Sequence, residues 1–93
     1  MYEDIVILNS VRKQFDLTGR TAVITGGAGF LGIQFAEAIA EMGGKPILID
    51  INEKQLVEAG EKLKNSGYNN FSTYAIDITD EKKCKEIYEL IWQ

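Results

Sequence analysis

Histidine is absent from the 93-residue chain, and cysteine, proline and tryptophan occur once each. Without histidine the chain lacks the commonest metal ligand and the commonest acid/base side chain. A lone cysteine, Cys84, excludes an internal disulfide and a cysteine-rich metal site, which suits a reducing cytoplasm. Because Cys84 falls on the same helical face as Ile87 and Tyr88, it is expected to be a buried, inert thiol rather than a nucleophile. Positive charge is also scarce: ten Lys and Arg against fourteen Asp and Glu leave a net charge of -4. No basic stripe forms, so nucleic acid is excluded as a partner. No apolar run approaches the length of a membrane span. Glu3 and Asp4 precede the short run Ile5 to Leu8, where a secretory signal would have a basic start. These absences predict a cytoplasmic protein with no membrane partner.

Glycine, by contrast, is plentiful, with nine residues, and it is concentrated where it matters. The run Thr21-Ala22-Val23-Ile24-Thr25 breaks into Gly26-Gly27-Ala28-Gly29-Phe30-Leu31-Gly32, and an amphipathic helical pattern opens beyond it. Gly26 can turn the chain sharply out of a strand at positive φ. Gly29, lacking a side chain, lets backbone approach a bound pyrophosphate, and Gly32 lets the new helix lie close on the strand. The free N–H groups of the first helical turn, around Phe30 and Leu31, then face the anion at the positive end of the helix dipole. The spacing is G-x-x-G-x-x-G rather than the commoner G-x-G-x-x-G. An ordinary glycine-rich turn is the bland alternative; the strand before, the helix after and a second apolar run ending in Asp50 argue for a dinucleotide-binding turn.

The length suffices for one small domain, and the periodicities order it. Residues 1–16 form an N-terminal extension with no assigned role, and Leu17 to Arg20 is a turn-like lead-in. Arg20 to Thr25 is a nearly continuous apolar run, as in a parallel strand covered on both faces. A first helix is predicted from about Gly29 to Met42, with Leu31, Phe35, Ala38, Ile39 and Met42 as its buried stripe and Gly43-Gly44 as its left-handed exit. Lys45 to Ile51 is the second strand, and Pro46 is tolerable near its start. Asn52 caps a second helix, with Gln55 three residues on, Leu56, Ala59 and Leu63 buried, and Gly67 at its end. Gly60 inside that helix costs about 1 kcal/mol relative to alanine, with close packing its only evident reason. Phe71 to Ile78 is predicted as a third strand near an edge, and Thr79 as the cap of a third helix bearing Cys84, Ile87, Tyr88 and Ile91. The order β-α-β-α-β-α implies an α/β fold with a parallel sheet and right-handed crossovers.

In doubly wound sheets the ligand lies across the carboxyl ends of the strands. Asp50, 18 positions after Gly32, stands about where the fingerprint wants an acid for the ribose hydroxyls. Its carboxylate would repel a 2′-phosphate by roughly 4 kcal/mol at 4 Å and an effective dielectric near 20. Neither Ala28 nor the adjacent Ile51 supplies a compensating cation, so NAD is expected over NADP. The competing reading of Asp50 is a loop or capping acid with no ligand. Asp77, in Asp77-Ile78-Thr79-Asp80, has the same two readings. Lys82, Lys83 and Lys85 read as a solvated face.

Together these residues resemble the N-terminal part of the short-chain dehydrogenase/reductase family, over roughly Phe15 to the end. Phe15-Asp16-Leu17-Thr18-Gly19-Arg20 is similar to the lead-in of its single-domain branch, and Thr25 to Gly32 to its cofactor loop. The resemblance implies a Rossmann-like doubly wound sheet, a ribose acid at Asp50, and adenine contacts from the Asp77 carboxylate and the Ile78 backbone. One departure is Phe30, which stands where the single-domain branch usually has its second glycine; the spacing found is that of the extended branch, which acts on nucleotide sugars. The family's catalytic tyrosine, with lysine four residues later, has no counterpart: Tyr2, Tyr68, Tyr74 and Tyr88 are followed at that offset by Val6, Ser72, Ile78 and Trp92. No catalytic residue is assigned.

The resulting expectation is that 17–93 is the NAD-binding part, incomplete at its C-terminal end, of an oxidoreductase moving hydride between nicotinamide and a small alcohol or carbonyl substrate. The cofactor contacts are Gly26, Gly29, Phe30, Leu31, Gly32, Asp50, Ile51, Asp77 and Ile78, with no metal. A nucleotide-sugar epimerase or dehydratase and a non-catalytic nucleotide-binding module are the alternatives. In the expected strand order 3-2-1 the outer edge of the first strand lies open, an association hazard, and a homo-oligomer is expected.

Overall fold

The computed structural model describes residues 14–91; Trp92 and the first 13 residues of the predicted extension lie outside them. Six elements alternate in the predicted order: β1 (Thr21–Thr25), α1 (Phe30–Glu41), β2 (Lys45–Asp50), α2 (Glu53–Asn65), β3 (Ser72–Ala75) and α3 (Glu81–Ile91). The three strands form one parallel sheet in the order β1-β2-β3, with Val23 opposite Ile47 and Ile49 opposite Tyr74. The architecture is an open α/β sheet of the expected kind, and β3 is at its edge as predicted.

The central strand β2 supplies the anchor of the core. Pro46, Ile47, Leu48 and Ile49 are buried, and Leu48 is completely so. Leu48 packs with Ala36 of α1 and with Leu56, Ala59 and Leu63 of α2, and Ile24, Ile33, Tyr68 and Phe71 close over them. Pro46 sits where its missing N–H does least harm: Lys45 donates to Arg20 in the β1 ladder, and the β3 ladder begins only at Ile47.

Both crossover helices are stopped as the sequence implies. Gly43 (φ 89) follows α1, donating to Ala40, while Gly44 donates to Ile39. Gly67 (φ 92) and Tyr68 repeat the pattern after α2, donating to Lys64 and Leu63. Each pair satisfies carbonyls that the helix end would otherwise leave open. At the start of α2, the Asn52 side chain accepts from the Gln55 amide at 3.0 Å, as its predicted cap role requires. Gly60 now has a reason: it is buried, and a Cβ there would stand 3.2 Å from the Phe71 ring.

Five expectations need correction. The buried face of α1 is Gly32 and Ala36, with Ile33 packed against the core; of the predicted stripe, Ile39 is half-buried, whereas Leu31, Phe35, Ala38 and Met42 are exposed. The close approach of Gly32 to the turn before it fixes the helix rotation and carries the bulkier residues to the flanks. Next, β1 is not covered on both faces: Ala22 and Ile24 are half-buried, but Thr21, Val23 and Thr25 are exposed. That outer face and α3 border an apolar groove of about 570 Å3, lined among others by Val23, Thr25, Cys84 and Ile87. Cys84 is therefore half-buried rather than buried, its thiol 3.4 Å from the Ile78 carbonyl. Finally, β3 is shorter than Phe71 to Ile78, and α3 is capped by Asp80, whose carboxylate accepts from the Lys83 backbone amide at 3.2 Å. Thr79 instead donates its amide and hydroxyl to Asp77, and it is Asp80 whose carbonyl accepts from the Cys84 amide at the start of the helix. Among the described residues no helix is long and apolar enough to cross a membrane.

Candidate functional site

The carboxyl ends of all three strands open on one side of the sheet, and the loops leaving them meet there. Gly26 turns the chain out of β1 with φ 66, the left-handed conformation its position was expected to need. The turn is then drawn onto β2, where Gly27 donates to the Ile49 carbonyl at 3.0 Å. A Cβ on Gly27 would lie 2.7 Å from that of Leu48. This contact went unassigned in the sequence; the doubling of glycine at 26 and 27 was its only signal.

Gly29 ends the turn as the N-cap of α1, in extended backbone, with no side chain to cap the helix and no acidic residue in its first turn. The leading N–H groups of an α-helix have no intrahelical acceptor, so the amides around Phe30, Leu31 and Gly32 present a positive end without local competition. The Phe30 and Leu31 side chains point outward, at 82% and 59% exposure. A Cβ on Gly32 would collide with the Gly26 carbonyl and the Gly27 backbone, so this glycine permits the close seat of α1 on the turn itself.

Asp50 ends β2 and is half-buried. Its Oδ2 accepts from the Ala28 amide at 3.2 Å and its Oδ1 from the Asn52 amide at 3.0 Å. The loop-acid reading of Asp50 is thus part of the truth. An ionised carboxylate has about four lone-pair positions, and these two bonds leave capacity for further donors.

Asp77 follows β3 and is exposed. Its Oδ1 accepts from the Thr79 hydroxyl at 2.7 Å and the Thr79 amide at 2.9 Å. These two bonds, the hydroxyl's first, hold the Asp77 carboxyl below the ordinary carboxylate range. Asp16 and Thr18 repeat the same local pattern in the lead-in, with the same effect.

A cleft of about 240 Å3 joins these segments, with Gly26 on one side and Asp50 and Ile51 at its centre. Asp77 and Ile78 form the other side, and Ile49 and Ile76 its apolar floor. The structure therefore brings Gly26, Asp50, Ile51, Asp77 and Ile78 around one space. Gly29, Phe30, Leu31 and Gly32 lie beside it, at the start of α1. The arrangement offers an apolar floor, a backbone turn with a helix N-terminus for an anion, and two carboxylates for donors. Among the described residues no group of His, Cys, Asp or Glu is placed to hold a metal ion.

A family profile described as short chain dehydrogenase matches residues 20–93. The chain is 39% identical over 70 residues to the (S)-acetoin-forming diacetyl reductase of Staphylococcus epidermidis, covering 75% of this chain and 27% of that protein. A solved NAD+-bound xylitol dehydrogenase superposes with a TM-score of 0.73 at 25% identity, over 81% of this chain and 28% of that one. The L-sorbose reductase of Gluconobacter frateurii, solved with NADPH and L-sorbose, gives a TM-score of 0.72 at 27% identity, over 81% and 28%. The chain spans between 26% and 43% of the length of the curated relatives it matches.

Proposed function

This chain belongs to the short-chain dehydrogenase family, and from that premise we propose that residues 17–93 form the NAD-binding part of an oxidoreductase. The reaction proposed for the whole protein moves hydride between nicotinamide and the carbon of a small alcohol or carbonyl compound. One observation carries the reading: the glycine turn, Asp50 and Asp77 stand around a single cleft at the carboxyl ends of parallel strands, the position where such sheets take nucleotides. The cleft is smaller than the roughly 300–1,000 Å3 of a complete small-molecule site, which suits the adenosine end of a dinucleotide.

In this reading Gly26, Gly29 and the amides of Phe30, Leu31 and Gly32 seat the pyrophosphate. Asp50 takes the ribose hydroxyls, beside Ile51, and Asp77 with the Ile78 backbone takes the adenine. The bound nicotinamide supplies the hydride chemistry; the chain's task is to hold and orient the nucleotide. Family members bind NAD or NADP, as the two solved structures illustrate, so the choice between them is argued from Asp50. A carboxylate at the ribose repels a 2′-phosphate, and even about 1.4 kcal/mol of that repulsion is a tenfold preference.

The primary test is calorimetric titration of the full chain with NAD and NADP, alongside Asp50→Ala. NAD is expected to bind about tenfold more tightly, with the preference narrowed in the variant. Equal affinity for the two in the unsubstituted chain overturns the NAD assignment.

A further inference from the structure

We propose that Asp50 is a positioning residue for the glycine turn, joining the three walls of the cleft before any nucleotide arrives. Three contacts carry this. Its Oδ2 accepts from Ala28, in the turn after β1. Its Oδ1 accepts from Asn52, which caps α2. Its backbone carbonyl accepts from Ile76 at 3.0 Å, extending the ladder to β3 just before Asp77. One residue thus fixes the glycine turn, the start of α2 and the approach to the adenine-side loop.

The side-chain bonds demand a carboxylate rather than merely a polar group. Asp50 receives N–H donors on both oxygens, and an asparagine has only one acceptor oxygen. In Asp50→Asn the new NH2 must confront either the Ala28 or the Asn52 amide, donor against donor. Either the turn lets go of β2 or the α2 cap is disturbed. Gly27 bonded to Ile49 is then the remaining backbone tie from the turn to β2.

The consequence has a sign opposite to simple electrostatics. The reading above gives Asp50 a ribose contact, and this inference rests on the same reading for the glycine turn. Inorganic pyrophosphate has no ribose. If Asp50 only met ribose, removing its negative charge would leave pyrophosphate binding unchanged or strengthen it. A positioning role predicts the reverse, because a loosened turn no longer holds its amides toward one point.

The test uses the full 93-residue chain and its Asp50→Asn variant, titrated with inorganic pyrophosphate and followed by amide hydrogen exchange. Pyrophosphate is expected to bind about tenfold more weakly to the variant. Exchange at Ala28 should accelerate at least about fivefold while Leu48 keeps its protection. Unchanged or tighter pyrophosphate binding with unchanged protection at Ala28 overturns the proposal. A second measurement needs no substitution: in the unsubstituted chain the Ala28 amide, bonded to Asp50, should exchange at least about fivefold more slowly than the leading amide of α1 at Leu31, and equal exchange overturns the proposal. Failure of the unsubstituted chain to bind pyrophosphate would count against the nucleotide reading, while the exchange results would still decide the role of Asp50.

Discussion

A Cβ placed on Gly32 would lie 2.5 Å from the carbonyl oxygen of Gly26 and 2.9 Å from the Cα of Gly27. Both neighbours are backbone, so neither can swing aside. Gly32→Ala must therefore push α1 off the turn or open the turn itself. Overpacking of this kind typically costs about 1–3 kcal/mol, more than the helix propensity alanine would return. Urea unfolding should show the loss as a lower midpoint. Gly29→Ala is the control: its φ is -73 and its Cβ would stand 3.3 Å from the same oxygen. It should cost less than about 1 kcal/mol while weakening NAD binding. Equal stability losses in the two variants would contradict this division of labour.

The pattern of strands and helices was legible because each local signal agreed with its neighbours. The capping pair Asn52 and Gln55, the exits at Gly43 and Gly67 and the apolar core of β2 are all determined within a few residues, and all appear as expected. The rotation of α1 was not legible, because apolar residues lie around much of its circumference. Leu31 and Phe35 look as suitable for burial as Ala36, and only the contact of Gly32 with the turn decides between them. The cap of α3 failed for a similar reason. Thr79 and Asp80 are both good caps, and a one-residue difference in where the helix starts puts Asp80 rather than Thr79 in the capping position. At the site, the acid after β2 could be picked out from the sequence but its bond to the Ala28 amide could not, since a bond between residues 22 positions apart depends on the sheet register.

Gly60 and Phe71 should be energetically coupled. Alanine at position 60 would gain about 1 kcal/mol of helix propensity, but its Cβ would press on the Phe71 ring at 3.2 and 3.4 Å. The ring is half-buried and packed against the core, so it can shift only by surrendering contacts. Gly60→Ala alone is accordingly expected to change stability little. In a Phe71→Leu background the same substitution should stabilise. A double-mutant cycle measured by urea unfolding should give a coupling of at least about 0.5 kcal/mol. Additive effects would show that the ring does not restrict position 60.

Asp77 and Asp16 offer a matched pair for a pH experiment, since each accepts the hydroxyl and the amide of a threonine two residues on. In both, the carboxyl lies below its ordinary range, chiefly through the hydroxyl bond. A lowered folded-state value means the turn gains stability from the ionised acid above the unfolded value of about 3.9. That gain is lost as the pH falls through the lower folded value, so it is complete at neutrality and disappears only in acid. Thr79→Val keeps the shape and removes the hydroxyl donor. In an NMR titration its Asp77 carboxyl should move up toward the ordinary range, with Asp16 unmoved as the internal reference. The amide bond remains, so a part of the depression should survive. If the Asp77 inflection stays where it was, the hydroxyl is not what holds that acid down, and the turn entering α3 is set by the backbone alone.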